Sequence, residues 1–279
     1  MKTLLCLGYG YSAAALAARL VPQGWTVIGT IRHAKSAAEV VAQGVEPLLL
    51  PTDLTQALAG ATHVLATAAP DNNGDPFLGS ALAAIRAATP EWVGYLSTTA
   101  VYGDHQGAWV DETTPPTPQS ARAVLRILAE QQWLALGLPV HIFRLAGIYG
   151  PGRGPFEKVR DGSARRIIKP GQVFSRIHVT DIAATLAASI ARPNPGAIYN
   201  VCDDDPAPPE DVLAFAAALL GLPEPPAVPY EAAEMSPMAR SFYGESKRVR
   251  NDRIRQELGV QLTYPSYREG LAGLLAAGS

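Results

Sequence analysis

Two glycines one residue apart, Gly8 and Gly10, follow a short apolar run, Thr3 to Leu7, and precede an alanine-rich stretch from Ala13 to Leu20. That order reads as strand, tight turn, helix. Glycine at 8 lets the backbone reverse. Glycine at 10 lets a ligand pyrophosphate approach the helix start, where unpaired N–H groups and the helix dipole favour an anion. Tyr11 and Ser12 follow in the sequence and join the candidate cradle. The third glycine of the dinucleotide pattern is Ala13 here, which the pattern tolerates when helix and strand still pack closely. A second strand-like run, Trp25 to Thr30, follows at the βαβ distance. The competing reading of the opening residues, a secretory leader, is weaker, because Tyr9 to Ser12 interrupt its apolar core.

The end of the second strand selects between dinucleotides. An NAD-specific fold places an acidic residue there against the ribose 2′-hydroxyl; Thr30 and Arg32 stand in that neighbourhood instead. A guanidinium pairs with a 2′-phosphate, so the expected cofactor is NADP, with NAD as the alternative and a solvated Arg32 as the competing reading. Asp53 and Leu54 follow the third strand, where a carboxylate and a backbone group would meet the adenine; helix capping by Asp53 competes. Small residues ending the fourth strand, Ala68 among them, would let a cofactor lie flat across the strand ends.

These residues need a frame to hold them. At 279 residues the chain can bury a full core, and 48% hydrophobic with 17% charged residues fits an ordinary soluble protein. A formal net charge of −2 offers no basic excess for nucleic acid or a membrane surface, so the expected partner is a small molecule. Cys6 and Cys202 read as small buried hydrophobes in a reducing compartment, and no metal-binding spacing is present. No apolar run reaches the roughly 20 residues of a membrane span, so a cytoplasmic location is expected. Strand-like and helix-like runs alternate through Leu96, which predicts an α/β fold, a Rossmann-type doubly wound parallel sheet, as one large domain or a large domain with a smaller lobe. The fifth strand, Trp92 to Leu96, delivers Ser97 to Gly103 to its C-terminal end, where open α/β sheets place their sites.

Gly8-x-Gly10, Ser97-Thr98-Thr99-Ala100-Val101-Tyr102-Gly103-Asp104, Asp111-Glu112-Thr113-Thr114-Pro115-Pro116 and Arg144-Leu145-Ala146-Gly147-Ile148-Tyr149-Gly150-Pro151-Gly152 together resemble the extended short-chain dehydrogenase/reductases, the NAD-dependent epimerase/dehydratase group. The likeness continues through Arg176-Ile177-His178-Val179-Thr180-Asp181, Tyr199-Asn200-Val201 and Lys247-Arg248-Val249. By this resemblance Thr98 matches the hydroxyl that orients a substrate's reacting oxygen; a strand-end hydroxyl bonded to backbone is the alternative. The resemblance further implies that residues 1–150, rejoined by 176–203, form the dinucleotide domain, and that 151–175 with 204–279 form a smaller C-terminal substrate lobe.

The resemblance breaks at the catalytic pair. The family pattern carries a Tyr and a Lys four residues apart on the helix after this loop, one face of one helix. Here those positions are Arg122 and Arg126, and no Tyr or Lys occurs between Gly103 and Ile148. Arginine has donors but no acceptor and a pKa above about 12, so it cannot relay a proton at neutral pH. Arg126 could hold the ribose hydroxyls, and Arg122 an anionic group of a substrate. A surface stripe of Arg122, Arg126 and Glu130 at i, i+4 and i+8 is the alternative. Tyr243 and Lys247 reproduce the missing spacing, but in the lobe segment, so the match reads as chance; Tyr243 remains a candidate proton donor if the lobe carries it to the nicotinamide. Arg153, in the loop Gly150 to Pro155, is a candidate for greeting an anionic substrate, with plain solvation as the competing reading.

Two functions fit. One is an NADP(H)-linked oxidoreductase or epimerase-like protein with a non-standard active site; the other is a silent NADP(H)-binding sensor or interaction module.

Overall fold

The computed structural model describes residues 2–278. The first half alternates β1 (Thr3–Leu7), α1 (Tyr11–Leu20), β2 (Thr26–Ile31), α2 (Ala37–Ala42), β3 (Glu46–Leu49), α3 (Thr55–Gly60), β4 (His63–Ala66), α4 (Pro76–Ala87) and β5 (Trp92–Thr98). There follow β6 (Trp109–Val110), α5 (Ala121–Leu134), β7 (Val140–Leu145), β8 (Gly147–Tyr149), α6 (Phe156–Arg160), β9 (Arg166–Ile168), β10 (Arg176–His178), α7 (Val179–Ala191) and β11 (Ile198–Val201). The chain closes with α8 (Pro209–Leu220), β12 (Ala227–Pro229), α9 (Pro237–Phe242), β13 (Arg248–Val249), α10 (Asp252–Gln256) and α11 (Tyr267–Ala276).

Seven strands pair in parallel in the order β11-β7-β5-β4-β1-β2-β3. Helices cover both faces, and β1 shows why: alternate side chains point to opposite faces of a strand. Leu4 and Cys6 pack with α1 and α7 residues such as Leu16 and Ile182, whereas Leu5 and Leu7 pack with Leu58, Phe77 and Trp133 of α3, α4 and α5. The strand order reverses between β1 and β4. That switch point is where an open α/β sheet leaves a crevice at its carboxyl ends. A separate cluster, built on Tyr149, Phe156, Val159, Ala216, Tyr267 and Leu271, forms the core around α6, α8 and α11.

Local structure is set where neighbouring chain supplies the bond. The N-cap of α7 is His178, whose Nδ1 accepts the Thr180 N–H at 3.2 Å, because the helix starts directly out of β10. The helix α8 starts at Pro209, since residues before proline are pushed out of the helical region. The proline-rich stretch 222–229 is ordered: it contains β12, which pairs with β9, and Arg166 Nε donates to the Pro225 carbonyl at 2.9 Å. Among the described residues no helix is long and apolar enough to cross a membrane.

Candidate active site

The turn after β1 is fixed from below. Thr30 Oγ1 accepts the Gly8 N–H at 2.7 Å and donates to the Cys6 carbonyl at 3.2 Å. Thr30 is buried, so its hydroxyl holds the turn and is not presented to a cofactor, a correction to the expected ligand contact. Thr67 Oγ1 donates to the Gly8 carbonyl, joining the ends of β1 and β4 across the switch point. Gly8 is left-handed, with φ of +96°, and a Cβ there would lie 2.9 Å from Thr67 Oγ1. Gly10 differs: its backbone is extended, and no heavy atom lies within 4 Å of a Cβ placed on it. It precedes a ten-residue helix with no acidic residue in its first turn. Open space in front of a helix N-terminus fits a dinucleotide's diphosphate, with the α1 N–H groups, Tyr11 and Ser12 included, as donors.

A cleft of about 540 Å³ opens at the ends of β2 and β3, lined by Arg32, Asp53, Leu54, Phe77, Ser80 and Ala84 among others. Arg32 and Asp53 therefore share one wall system with Leu54. The Asp53 carboxylate accepts from the Thr55 N–H and hydroxyl, at 2.9 and 2.7 Å, and these bonds hold it below the usual carboxylate range. Asp53 stands one residue before the N-cap of α3, which is Leu54, so these bonds brace the turn into the helix at the rim of the cleft.

Arg126 is half-buried and its Nη1 makes three bonds: to the Leu96 carbonyl at 2.7 Å, the Tyr95 hydroxyl at 3.1 Å and the Ala68 carbonyl at 3.3 Å. It staples the carboxyl ends of β4 and β5, and leaves Nη2 and Nε for other partners. Burial pushes the Tyr95 phenol up to about 12 despite the guanidinium beside it. Thr98 Oγ1 accepts the Ala100 N–H at 3.2 Å and keeps its own proton to donate.

The surface stripe weighed as the alternative for α5 fails at Glu130, although Arg122 is exposed. Glu130 is buried and bonds Arg144 through both oxygens, at 3.1 and 2.8 Å, while Ser97 Oγ donates to it at 2.5 Å. The Arg144 guanidinium also lies over the Tyr102 ring, whose hydroxyl donates to Asn200 Oδ1 at 2.8 Å. The network ties β5, α5, β7 and β11 together directly behind Thr98.

Arg122 stacks on Phe242 of α9, 5.4 Å from the ring centroid, and so reaches toward the lobe. Tyr243 is almost fully buried, its ring against Phe174 and Tyr230, and burial raises its phenol above the ordinary value. No hydrogen bond or ring contact joins it to Thr98 or Arg126. Lys247 Nζ donates to Glu245 Oε2 at 2.7 Å and the Gly103 carbonyl at 2.8 Å, holding a lobe segment to the loop after β5.

One polar cluster escaped the sequence reading. Arg176 donates to the Phe174 and Ala207 carbonyls at 2.8 and 3.0 Å, and its charge is felt by Asp203, Glu210, Tyr149, Tyr243 and Tyr267. Asp203 is 1% exposed, and neither carboxylate oxygen makes a well-formed hydrogen bond, with only the Asp205 and Arg176 backbone groups acting on it weakly. Burial pushes its carboxyl up to about 8, with Arg176 opposing. Its position, first of three acids ending the run after β11, was the available signal. A carboxyl near 3.8 when unfolded and near 8 when folded contributes stability that is complete below the first value and is lost as pH rises through the second. Asp203→Asn, uncharged throughout, is therefore expected to match the parent near pH 4 and to exceed it by a margin that grows as pH rises toward 8. Urea unfolding at several pH values checks this; parallel curves for the two proteins would refute it.

A switch-point crevice, an open glycine turn on a helix start and a cleft beyond β2 define a dinucleotide-type α/β fold. Residues 79–202 match the model of the NAD dependent epimerase/dehydratase family. The chain is 30% identical to Protein YeeZ of Escherichia coli (strain K12) over 95% of this chain and 97% of that one. A functionally unknown conserved protein from Silicibacter pomeroyi DSS is 60% identical with full coverage of both chains and a TM-score of 0.95. The human epimerase family protein SDR39U1, solved with NADPH, is 19% identical over 99% of each chain with a TM-score of 0.75, a likeness of fold. Other fold-level neighbours were solved with NAD. This chain belongs to the NAD-dependent epimerase/dehydratase family.

Proposed function

We propose that this protein binds NADP(H) and acts as an oxidoreductase or epimerase-like enzyme on a small molecule through a non-standard active site. The observation that carries the reading is the open face of Gly10 before α1, taken together with a cleft at the ends of β2 and β3 whose lining includes Arg32. The α1 N–H groups would take the diphosphate, Leu54 and Asp53 would flank the adenine, and Arg32 would pair with a 2′-phosphate. The bound nicotinamide supplies hydride transfer. Arg126 would meet the nicotinamide ribose with Nη2 and Nε while Nη1 fixes the strand ends. It orients but moves no proton, because guanidinium stays protonated. Thr98 donates its free proton to a substrate oxygen. Tyr243 is the candidate proton source from the lobe, and Arg122 stands near it for an anionic substrate group.

The specific observation favouring the silent-module alternative is that Arg126 is locked to two carbonyls where a mobile ammonium would be needed. Turnover by a panel of carbonyl compounds separates the two. Oxidation of bound NADPH supports the enzyme, and Tyr243→Phe should then cut the rate about 100-fold or more while leaving NADPH affinity alone. For cofactor choice, Arg32→Ala should weaken NADPH about tenfold and NADH hardly at all; equal losses, or none, contradict the assignment.

A further inference from the structure

The loop after β8 closes on itself, with the Gly150 N–H on the Arg153 carbonyl at 3.0 Å and the Arg153 N–H on the Gly150 carbonyl at 2.9 Å. It is docked on the first residue of α1. Tyr11 Oη donates to the Pro151 carbonyl at 2.9 Å, across 140 residues of sequence. A Cβ on Gly150, which has φ of +155°, would run into that same phenol and into Val179 Cγ1, so the contact needs a glycine. The docked loop sets the Arg153 guanidinium over the Tyr11 ring, 5.8 Å from its centroid. Arg153 is exposed, and among the described residues its guanidinium pairs with no carboxylate.

That placement is electrostatically incomplete. The N-terminal end of a helix carries positive potential and repels a cation, and α1 has no acid in its first turn to offset it. An anion held between that cation and the helix end would be attracted by both. We propose that Arg153 is a clamp on the cofactor's diphosphate, closing over it from the side opposite the α1 N–H groups, rather than a contact for an anionic substrate. The proposal rests on the dinucleotide reading above. The cradle N–H groups and a charge-assisted guanidinium bond then hold the two phosphates from both sides. The Tyr11 hydroxyl and Gly150 act as positioning elements that set the loop.

Calorimetric titration of the full-length protein with NADPH, ADP-ribose and adenosine 2′-monophosphate tests it. The first two carry a diphosphate and the third does not. Arg153→Gln should weaken NADPH and ADP-ribose about tenfold, and flatten their salt dependence, while leaving adenosine 2′-monophosphate unchanged. Tyr11→Phe, which keeps the ring and frees the loop, should give a smaller loss with the same pattern. Unchanged affinity for all three ligands in Arg153→Gln overturns the proposal, as does an equal loss for all three. Failure of the parent protein to bind any of them overturns the dinucleotide reading itself, and the clamp with it.

Discussion

Glu130→Ala is expected to destabilise the protein by about 3–5 kcal/mol, the largest stability effect of any single change we foresee. The reason is what it leaves behind. Arg144 is buried, and both of its bonds to carboxylate oxygens come from Glu130. Ser97 would lose its acceptor as well. Two charges taken out of water together are roughly balanced, but one left alone keeps the full desolvation cost. Two further variants separate this cause from a simple packing loss. Glu130→Gln keeps the shape and should recover only part of the stability, because the guanidinium still lacks its counter-charge. The double change Glu130→Leu with Arg144→Met removes both charges and should recover most of it. Urea unfolding measures all three; a cost below about 1 kcal/mol for Glu130→Ala would mean that the brace behind Thr98 is not what holds these elements together.

The second large effect is on binding and leaves the fold alone. Gly10→Val should reduce dinucleotide affinity roughly 100-fold or more with little change in stability. Gly10 sits at φ −124° and ψ −165°, extended backbone in which valine is at ease, and its Cβ would meet no protein atom within 4 Å. The same methyls would occupy the space through which a diphosphate approaches the α1 N–H groups. Gly8 cannot serve for this test, since its left-handed backbone and the closeness of Thr67 would damage the turn itself. Fluorescence titration with NADPH beside a thermal melt reads both quantities. An unfolded Gly10→Val, or one that binds as the parent does, contradicts the description of the cradle.

Much of the frame was legible because its signals are local. The Gly8-x-Gly10 spacing, the apolar runs of β1, β2, β4 and β5 and the alanine-rich α1 each announce themselves within a dozen residues. What the sequence hid depends on distant partners. Glu130 looked like one charge in a surface stripe because its partners, Ser97 and Arg144, belong to strands on either side of α5 in the chain. Arg126 was read for its charge, but three of its bonds run to groups 30 to 58 residues earlier, two of them backbone carbonyls that have no sequence signature. Thr30 lay in the right neighbourhood for a ribose and turns inward, because a buried hydroxyl beside an unpaired Gly8 N–H bonds the backbone first. Asp203 is silent in sequence, since an acid at a strand end is ordinary until its neighbours bury it.

The central claim is that a chain without the family's tyrosine and lysine keeps a working NADP(H) cradle. Titrating the unmodified protein with NADPH and with NADH, following nicotinamide fluorescence, tests it most directly. The account predicts saturable binding of both, tighter for NADPH; no saturation with either nucleotide would contradict it.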